Sequence, residues 1–294
     1  MNCINIIQNE HNNIKKLAAQ NLLYTISKNI KLLKFIFTVI FTMILNIFYL
    51  IWQDNTTLGF IYVFLCFISV LIQFFPFDLF STKYQRLAAS IQQEFDHGLY
   101  PFEKNIVKSI TQFEIDSAIR KYSYKFNKKK KNMNVFENWY QNIDANLSNE
   151  VAFFTCQKIN ITWESDLRGK YNILLVSFES IVLLSLFAIS MVMNCYFRET
   201  IMYVFLPTIS LVIYFAISIY RNTKCLSLLK RNYRSISNIE IIIKNDPNNI
   251  MNINELINNL QQDIYEYRQI ALFIPDFFYN LFRKTEQDML KDIL

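Results

Sequence analysis

The chain has 294 residues, 52% hydrophobic and 16% aromatic, with only 3 Gly and 5 Pro, a composition short of turns that argues against an ordinary soluble, loop-rich domain. Its five cysteines, at 3, 66, 156, 195 and 225, show no CxxC or His-flanked spacing, so neither a disulfide framework nor a zinc site is expected. Its 30 Lys and Arg against 24 Asp and Glu leave a net charge of +6, and the placement of those charges matters more than their sum. The excess of Asn, Ile and Lys fits a nucleotide-biased genome and is given no functional weight.

Near the start, Ile14, Leu17, Ala18, Leu22, Ile26, Ile30 and Leu33 recur at three- and four-residue steps, with Lys15, Lys16, Lys28 and Lys31 between them. This predicts an amphipathic helix that either lies in the headgroup layer or packs on a cytosolic domain. Four apolar runs follow, at 33–52, 58–75, 171–196 and 201–220. Each is long enough to cross a hydrocarbon core of about 30 Å at about 1.5 Å per helical residue. Glu179 is the only carboxylate in any of them. A cleaved signal peptide is not expected, because the first run begins too far in and lacks a small-x-small pattern.

Five basic residues stand at or before the start of the first run, fourteen between the second and third, and ten after the fourth, leaving Arg198 alone on the other side. Cytosolic loops collect Lys and Arg, so the short connections at 53–57 and 197–200 are expected outside and both termini in the cytosol. The predicted fold is an all-α membrane protein with four transmembrane helices in two hairpins plus a helical cytosolic domain. Its parts are an amphipathic N-terminal helix (1–32), a first hairpin (33–75), a cytosolic insert (76–170), a second hairpin (171–220) and a tail packing with the insert (221–294).

Within the insert, Leu87, Ile91 and Phe95 mark one helix ended by Gly98 and Pro101, and Phe102, Ile106, Ile110 and Phe113 mark a second. Lys128 opens a four-lysine run that reads as a solvated loop, and a helix around 151–159 leads into the third span. Beyond the fourth span, Leu226, Leu229, Tyr233, Ile236 and Ile243 continue the membrane helix until Asp246-Pro247 breaks it. Asn252 with Glu255 is placed to cap the next helix, with apolar positions Ile253, Leu256, Leu260, Ile264 and Tyr267, and Pro275 opens the last.

With so few glycines there is no phosphate-cradling loop or dinucleotide fingerprint. His11 and His97 lack partners at metal or nucleophile spacing, and no nucleophile elbow, HExxH or paired carboxylates occur. Neither catalysis, a metal nor a cofactor is expected. Polar residues do form stripes in the spans: Thr38, Thr42 and Asn46 in the first; Gly59, Tyr62, Cys66, Ser69 and Gln73 in the second; Ser210, Tyr214 and Ser218 in the fourth. Either they let helices pack closely in lipid, or some line a water-filled path in an oligomer. On the second reading Glu179, Asn46 and Gln73 are the pore or gating candidates, Glu179 being otherwise a hydrogen-bonded structural acid.

The remaining candidates are basic and aromatic: Arg120, Lys121, Tyr122, Tyr124 and Lys125 in one segment, Trp163 and Arg168 in another, Tyr265, Tyr267 and Arg268 in the tail. Such groups suit phosphates and stacked bases but serve equally as membrane-edge anchors or core aromatics. Arg168, Trp163, Arg268, Tyr265 and Lys121 are the ligand-contact candidates.

Several strings, in order around the two hairpins, resemble the SMODS-associated four-transmembrane effectors of cyclic-oligonucleotide antiphage systems. They are Gln8-Asn9, Leu17-Ala18-Ala19-Gln20, Leu23-Tyr24 and Lys28 near the start; Cys156-Gln157, Asn160, Trp163-Glu164, Leu167-Arg168 and Tyr171 before the third span; and, in the tail, Asp263-Ile264-Tyr265, Arg268, Ile274-Pro275-Asp276, Phe278-Tyr279, Glu286 and Met289. Glu164 stands where the family pattern has Asp. The resemblance implies an effector of the bacterial inner membrane whose partners are a cyclic oligonucleotide messenger, the lipid bilayer and further copies of itself, with no DNA or RNA polymer. Messenger binding would breach the membrane and abort the infection. The competing readings are a constitutive small channel or transporter, and a membrane-anchored scaffold for a protein partner.

Overall fold

The computed structural model describes residues 2–45, 56–74, 77–101, 110–129, 132–140, 143–192, 196, 205–245 and 250–282. In chain order these form α1 (Ile4–Ile7), α2 (His11–Phe35) with a π-helical turn after it (Ile36–Ile40), α3 (Thr56–Phe74), α4 (Phe77–Leu99), α5 (Gln112–Lys128), a 3-10 turn (Met133–Phe136), α6 (Asn149–Val192), α7 (Leu206–Asn245) and α8 (Ile250–Ile270). A further helical segment covers 276–282, and no strand occurs among the described residues. Contacts divide the chain into two compact units, one of Met1–Ile26, Thr82–Gly169 and Lys224–Leu294, the other of Ser27–Ser81 and Lys170–Thr223.

The first unit has an aliphatic and aromatic core. Leu17, Ala18, Leu22 and Leu23 of α2 are buried with Ile91 and Phe95 of α4, Ile115 of α5, Phe153 of α6, Leu229 and Ile239 of α7, and Ile257 and Leu260 of α8. The apolar face of α2 is therefore occupied by protein in this unit. Each fully buried Leu, Ile or Phe contributes about 1.5–3 kcal/mol, so the helical periodicity of these segments is explained by the core they share. The second predicted helix of the insert, at Phe102 and Ile106, lies outside the described residues, and Ile110 and Phe113 flank the start of α5 at Gln112. Thr111 and Glu114 form a reciprocal capping box that sets its start, and Phe113 is 75% exposed; a Thr-x-x-Glu cap outweighs two apolar residues in fixing a helix end. Helix α8 starts at Ile250, ahead of Asn252, and Pro275 stands immediately before the segment 276–282.

Asparagine and glutamine side chains of the N-terminal segment hold a loop of this unit. Gln8 Nε2 donates to the carbonyl of Tyr140 at 3.1 Å while Gln8 Oε1 accepts from the Tyr140 N–H at 2.8 Å. Asn9 Nδ2 donates to the side-chain Oδ1 of Asn138 at 2.9 Å while Asn9 Oδ1 accepts from the Asn138 N–H at 2.8 Å, and the φ of Asn138, 53°, is left-handed. Asn2 and Asn5 donate to the carbonyls of Asp144 and Ile143. Gln8 is 1% exposed, so replacing it with Ala orphans two buried backbone groups and is expected to cost about 2 kcal/mol. Thermal unfolding together with exchange of the Tyr140 amide checks this; an amide that stays as protected as in the wild type would contradict it.

The second unit is polar within and apolar without. Thr38 (0%), Thr42 (2%), Tyr62 (5%), Cys66 (3%), Ser69 (1%) and Ser210 (1%) are buried, whereas Phe60 (80%), Phe64 (61%), Phe67 (59%), Leu184 (69%) and Phe187 (62%) are exposed. That is the reverse of a water-soluble bundle and the arrangement a bilayer favours. The helical stretches Thr57–Leu99 and Asn149–Ala188 are long and apolar enough to cross a membrane, with 20% and 22% of their apolar windows buried. Four such spans are expected from the sequence, and two meet the criterion among the described residues. The first run is described only as far as Leu45 and the fourth only from Phe205, and the residues of both connecting loops lie largely outside the description.

Hydroxyls in the second unit bond to their own helices or across to neighbours. Thr38 donates to the Lys34 carbonyl and Ser218 to that of Tyr214, while Thr42 and Ser210 share a hydrogen bond of 3.1 Å between elements far apart in sequence. Asn172 and Asn222 join α6 to α7 at 3.0 Å. Near one end, Asp78 of α4 accepts from Lys34 of α2 and Arg221 of α7, both at 3.0 Å. Close association through small polar residues thus accounts for these stripes within one chain.

Candidate functional site

Two buried ionic groups lie in the first unit. On α6, Glu164 and Arg168 are one turn apart, the spacing at which helix neighbours meet. Arg168 Nη2 pairs with Glu164 Oε1, Arg168 Nε donates to Tyr267 Oη at 2.7 Å, and that hydroxyl donates back to Glu164 Oε1, closing a triangle. The next residue on α8, Arg268, points elsewhere: its Nη1 pairs with Asp96 Oδ2, which also accepts from Gln261 Nε2 at 3.0 Å. Gln261 Nε2 bonds Gln93 Oε1 at 2.8 Å, Tyr265 and Ser90 share a hydrogen bond of 2.8 Å, and Gln85 holds the carbonyls of Arg268 and Ala271. Arg168 is 2% and Arg268 8% exposed, so both charges are withdrawn from solvent.

The Tyr24 hydroxyl donates to Gln92 Oε1 at 3.1 Å and lies within electrostatic reach of Arg268, Asp96, Glu164 and Tyr265, which sets both ionic groups around one half-buried tyrosine. Burial drives the Tyr24 and Tyr267 hydroxyls well above the usual tyrosine range, the Glu164 charge adding to the effect on Tyr267. For Glu164, burial pushes the carboxyl up, but the Arg168 charge and hydrogen bonds from Tyr267 and Arg168 outweigh it and hold the group below the ordinary range. A carboxylate with a depressed folded-state value stabilises the protein at and above its unfolded value. That contribution is therefore intact at neutral pH and is lost only as pH falls through the depressed value.

The network is incompletely satisfied. Asp96 Oδ1 and Gln261 Oε1 are buried without a partner among the described residues, as are Gln157 Nε2, Gln20 Oε1 and both polar atoms of Asn232 elsewhere in the chain. Such atoms are uncommon in native interiors and costly in a low dielectric. No cluster of His, Cys, Asp and Glu able to hold a metal occurs among the described residues.

Of the ligand-contact candidates read from sequence, Arg168, Arg268 and Tyr265 belong to this network, Trp163 is partly buried with its ring 5.8 Å from that of Tyr279, and Lys121 is exposed with its ammonium 5.5 Å from the Tyr122 ring. Asp96, Gln93 and Gln261 were not legible: Asp96 meets Arg268 from 172 positions away. Glu164 carried a signal in its i, i+4 spacing to Arg168. Among the pore candidates, Glu179 is 8% exposed with Oε2 unpartnered among the described residues. Asn46 and the Gln73 side chain lie outside the description.

A model of the SMODS-associating 4TM effector domain matches residues 2–293. The chain belongs to the SMODS-associating 4TM effector family. It is also 26% identical, over 71% of its own length and 68% of the relative's, to a probable CBASS effector molecule of Bacillus cereus (strain VD146). No solved structure matches the chain. Membership of this effector family places the protein in antiphage defence and at the membrane, in a class not known for enzyme activity. The strings that carried the family resemblance in the sequence divide between two tasks. Gln8 and Asn9 hold a loop, whereas Tyr24, Glu164, Arg168, Tyr265 and Arg268 meet in the buried network. Glu164 reaches both Arg168 and Tyr267.

Proposed function

We propose that this effector senses a cyclic oligonucleotide from the cytosol and permeabilises the inner membrane, aborting the infection. The observation that carries the reading is the second unit of a defence-family effector: it buries Thr38, Thr42, Ser69, Ser210 and Glu179 and turns large apolar side chains outward. Polarity is stored where rearranged or assembled helices could line a lesion, and a carboxylate held there without a partner is costly. Both termini and the first unit on the cytosolic side, a homo-oligomeric active state and a role without catalysis are parts of the same proposal. Glu179, Asn46 and Gln73 are its pore or gating residues.

Arg168, Arg268, Tyr265, Trp163 and Lys121 are the proposed responsive residues. A messenger shifts a resting equilibrium only by binding the active state more tightly, and moving it from 1:99 to 99:1 takes about 5.5 kcal/mol. Phosphates competing with Glu164 and Asp96 for the two guanidiniums would supply charge-assisted contacts of about 1.5–3 kcal/mol each. The orphaned Asp96 Oδ1 and Gln261 Oε1 support a network with a second arrangement open to it.

Expression alone is expected to leave cells growing with polarised membranes, and co-expression with a nucleotidyltransferase making the right cyclic oligonucleotide is expected to depolarise them within a generation. A membrane-potential dye reads both states. Depolarisation on expression alone would favour a constitutive channel, and polarised membranes across every co-expressed nucleotidyltransferase would favour a scaffold.

A further inference from the structure

The arginines of the network are buried against carboxylates, whereas another face of the first unit offers cations to solvent. An open cleft of about 650 Å³ is lined by His11, Lys15 and Lys16 of α2 and by Asp116, Arg120 and Tyr124 of α5. Among the described residues neither Lys15 nor Arg120 makes an ion pair, and Asp116 is held by Gln112 at 3.1 Å. Arg120 is exposed, and Tyr124 is 68% exposed. A free large aromatic beside unpaired cations explains nothing about the stability of this unit, since none of the three is in its core.

Lys16 is fixed differently. Its Nζ donates to Asn13 Oδ1 and to the Glu94 carbonyl of α4, both at 3.0 Å, two residues from Asp96. Gly98 makes room for that arrangement: a Cβ there would stand 3.1 Å from Asn13 Oδ1 and 3.2 Å from Lys16 Nζ. One wall of the cleft is thus pinned to the helix that carries the Asp96 carboxylate of the buried network.

We propose that this cleft is the docking site for a phosphodiester ligand carrying a stackable base, with Lys15 and Arg120 on the phosphates and a base against Tyr124. The assignment rests on the messenger-sensing reading above and adds a solvent-facing docking site distinct from the buried arginines proposed there to respond. Guanidinium and ammonium groups meet phosphate oxygens in charge-assisted bonds, base-on-aromatic stacking tolerates any base, and the volume lies within the roughly 300–1,000 Å³ of small-molecule sites. An anionic lipid headgroup shares the phosphodiester but has no base to stack.

The test is binding of a panel of cyclic di- and trinucleotides, and separately of glycerophosphoglycerol, to the purified full chain in nanodiscs of neutral lipid. Lys15→Glu, Arg120→Glu and Tyr124→Ala are compared with Arg120→Lys and Tyr124→Phe. All three positions face solvent or the cleft, and thermal unfolding confirms that each of the five variants folds. The nucleotide that binds the wild type is expected to bind each of the first three about tenfold more weakly or worse and the conservative pair nearly normally. Equal binding to wild type and Lys15→Glu/Arg120→Glu would overturn the cleft and leave messenger sensing standing. Failure of the whole panel to bind the wild type would overturn both. Headgroup binding that falls in the variants, with nucleotide binding unchanged, would make this a lipid contact and overturn the proposal.

Discussion

Arg268→Ala is expected to destabilise the first unit by about 3–5 kcal/mol, the usual consequence of removing one partner from a buried ion pair. Asp96 is 1% exposed, and its Oδ1 already lacks a partner. Without the guanidinium, the carboxylate keeps only the Gln261 hydrogen bond on Oδ2 and must either stay charged in a low dielectric or take up a proton. For a chain of this size the loss corresponds to a fall in Tm of roughly 10 °C. Asp96→Asn combined with Arg268→Gln removes both charges together and is expected to recover at least half of it, because the penalty lies in the orphaned charge and not in the absence of attraction. Intrinsic fluorescence during heating of the detergent-solubilised protein measures both. A single-variant loss below about 1 kcal/mol would mean that Asp96 is not committed to Arg268.

Asp78→Ala is expected to make the protein leak without a messenger. Asp78 ties α2 to α7 through Lys34 and Arg221, and Lys34 has only 6% of its side chain exposed. Once the carboxylate is gone, that ammonium has lost its counter-charge and is driven toward water or headgroups, which loosens α2, α4 and α7 from one another at this point. Asp78 and Arg221 are about a quarter and two-fifths exposed, so solvent screening reduces the clamp to an effect of about 1–2 kcal/mol. That is still enough to raise a minor active population about tenfold. Dye release from liposomes without added nucleotide should rise by that order, and Asp78→Glu should restore part of the seal. Liposomes that stay tight around folded, inserted Asp78→Ala protein would remove this clamp from the resting state.

The sequence foretold neither ion pair. The inward polar stripes were legible because helical spacing in an apolar run fixes which residues share a face, and Thr38, Thr42, Ser69 and Ser210 are all buried. The amphipathic face of α2 and the continuation of the third and fourth apolar runs into the long helices α6 and α7 followed from the same periodicity. What periodicity could not supply was partnership. Arg168 and Arg268 read as candidate phosphate ligands; the i, i+4 spacing of Glu164 hinted at the first partner, but nothing local announces Asp96, which reaches Arg268 from another helix. The N-terminal asparagines were set aside as composition, yet Asn2, Asn5 and Asn9 hold a loop well over a hundred residues away. The cleft was half visible, in Arg120 and Tyr124, but its other wall needed the fold to bring up Lys15 and Lys16.

The account turns on messenger-gated permeabilisation, and dye leakage from liposomes carrying the purified wild-type protein tests it most directly. Tight liposomes that release dye on addition of one cyclic di- or trinucleotide and not the others are the predicted result. Liposomes that stay tight across the whole panel around folded, inserted protein, or that leak equally with and without nucleotide, would contradict it.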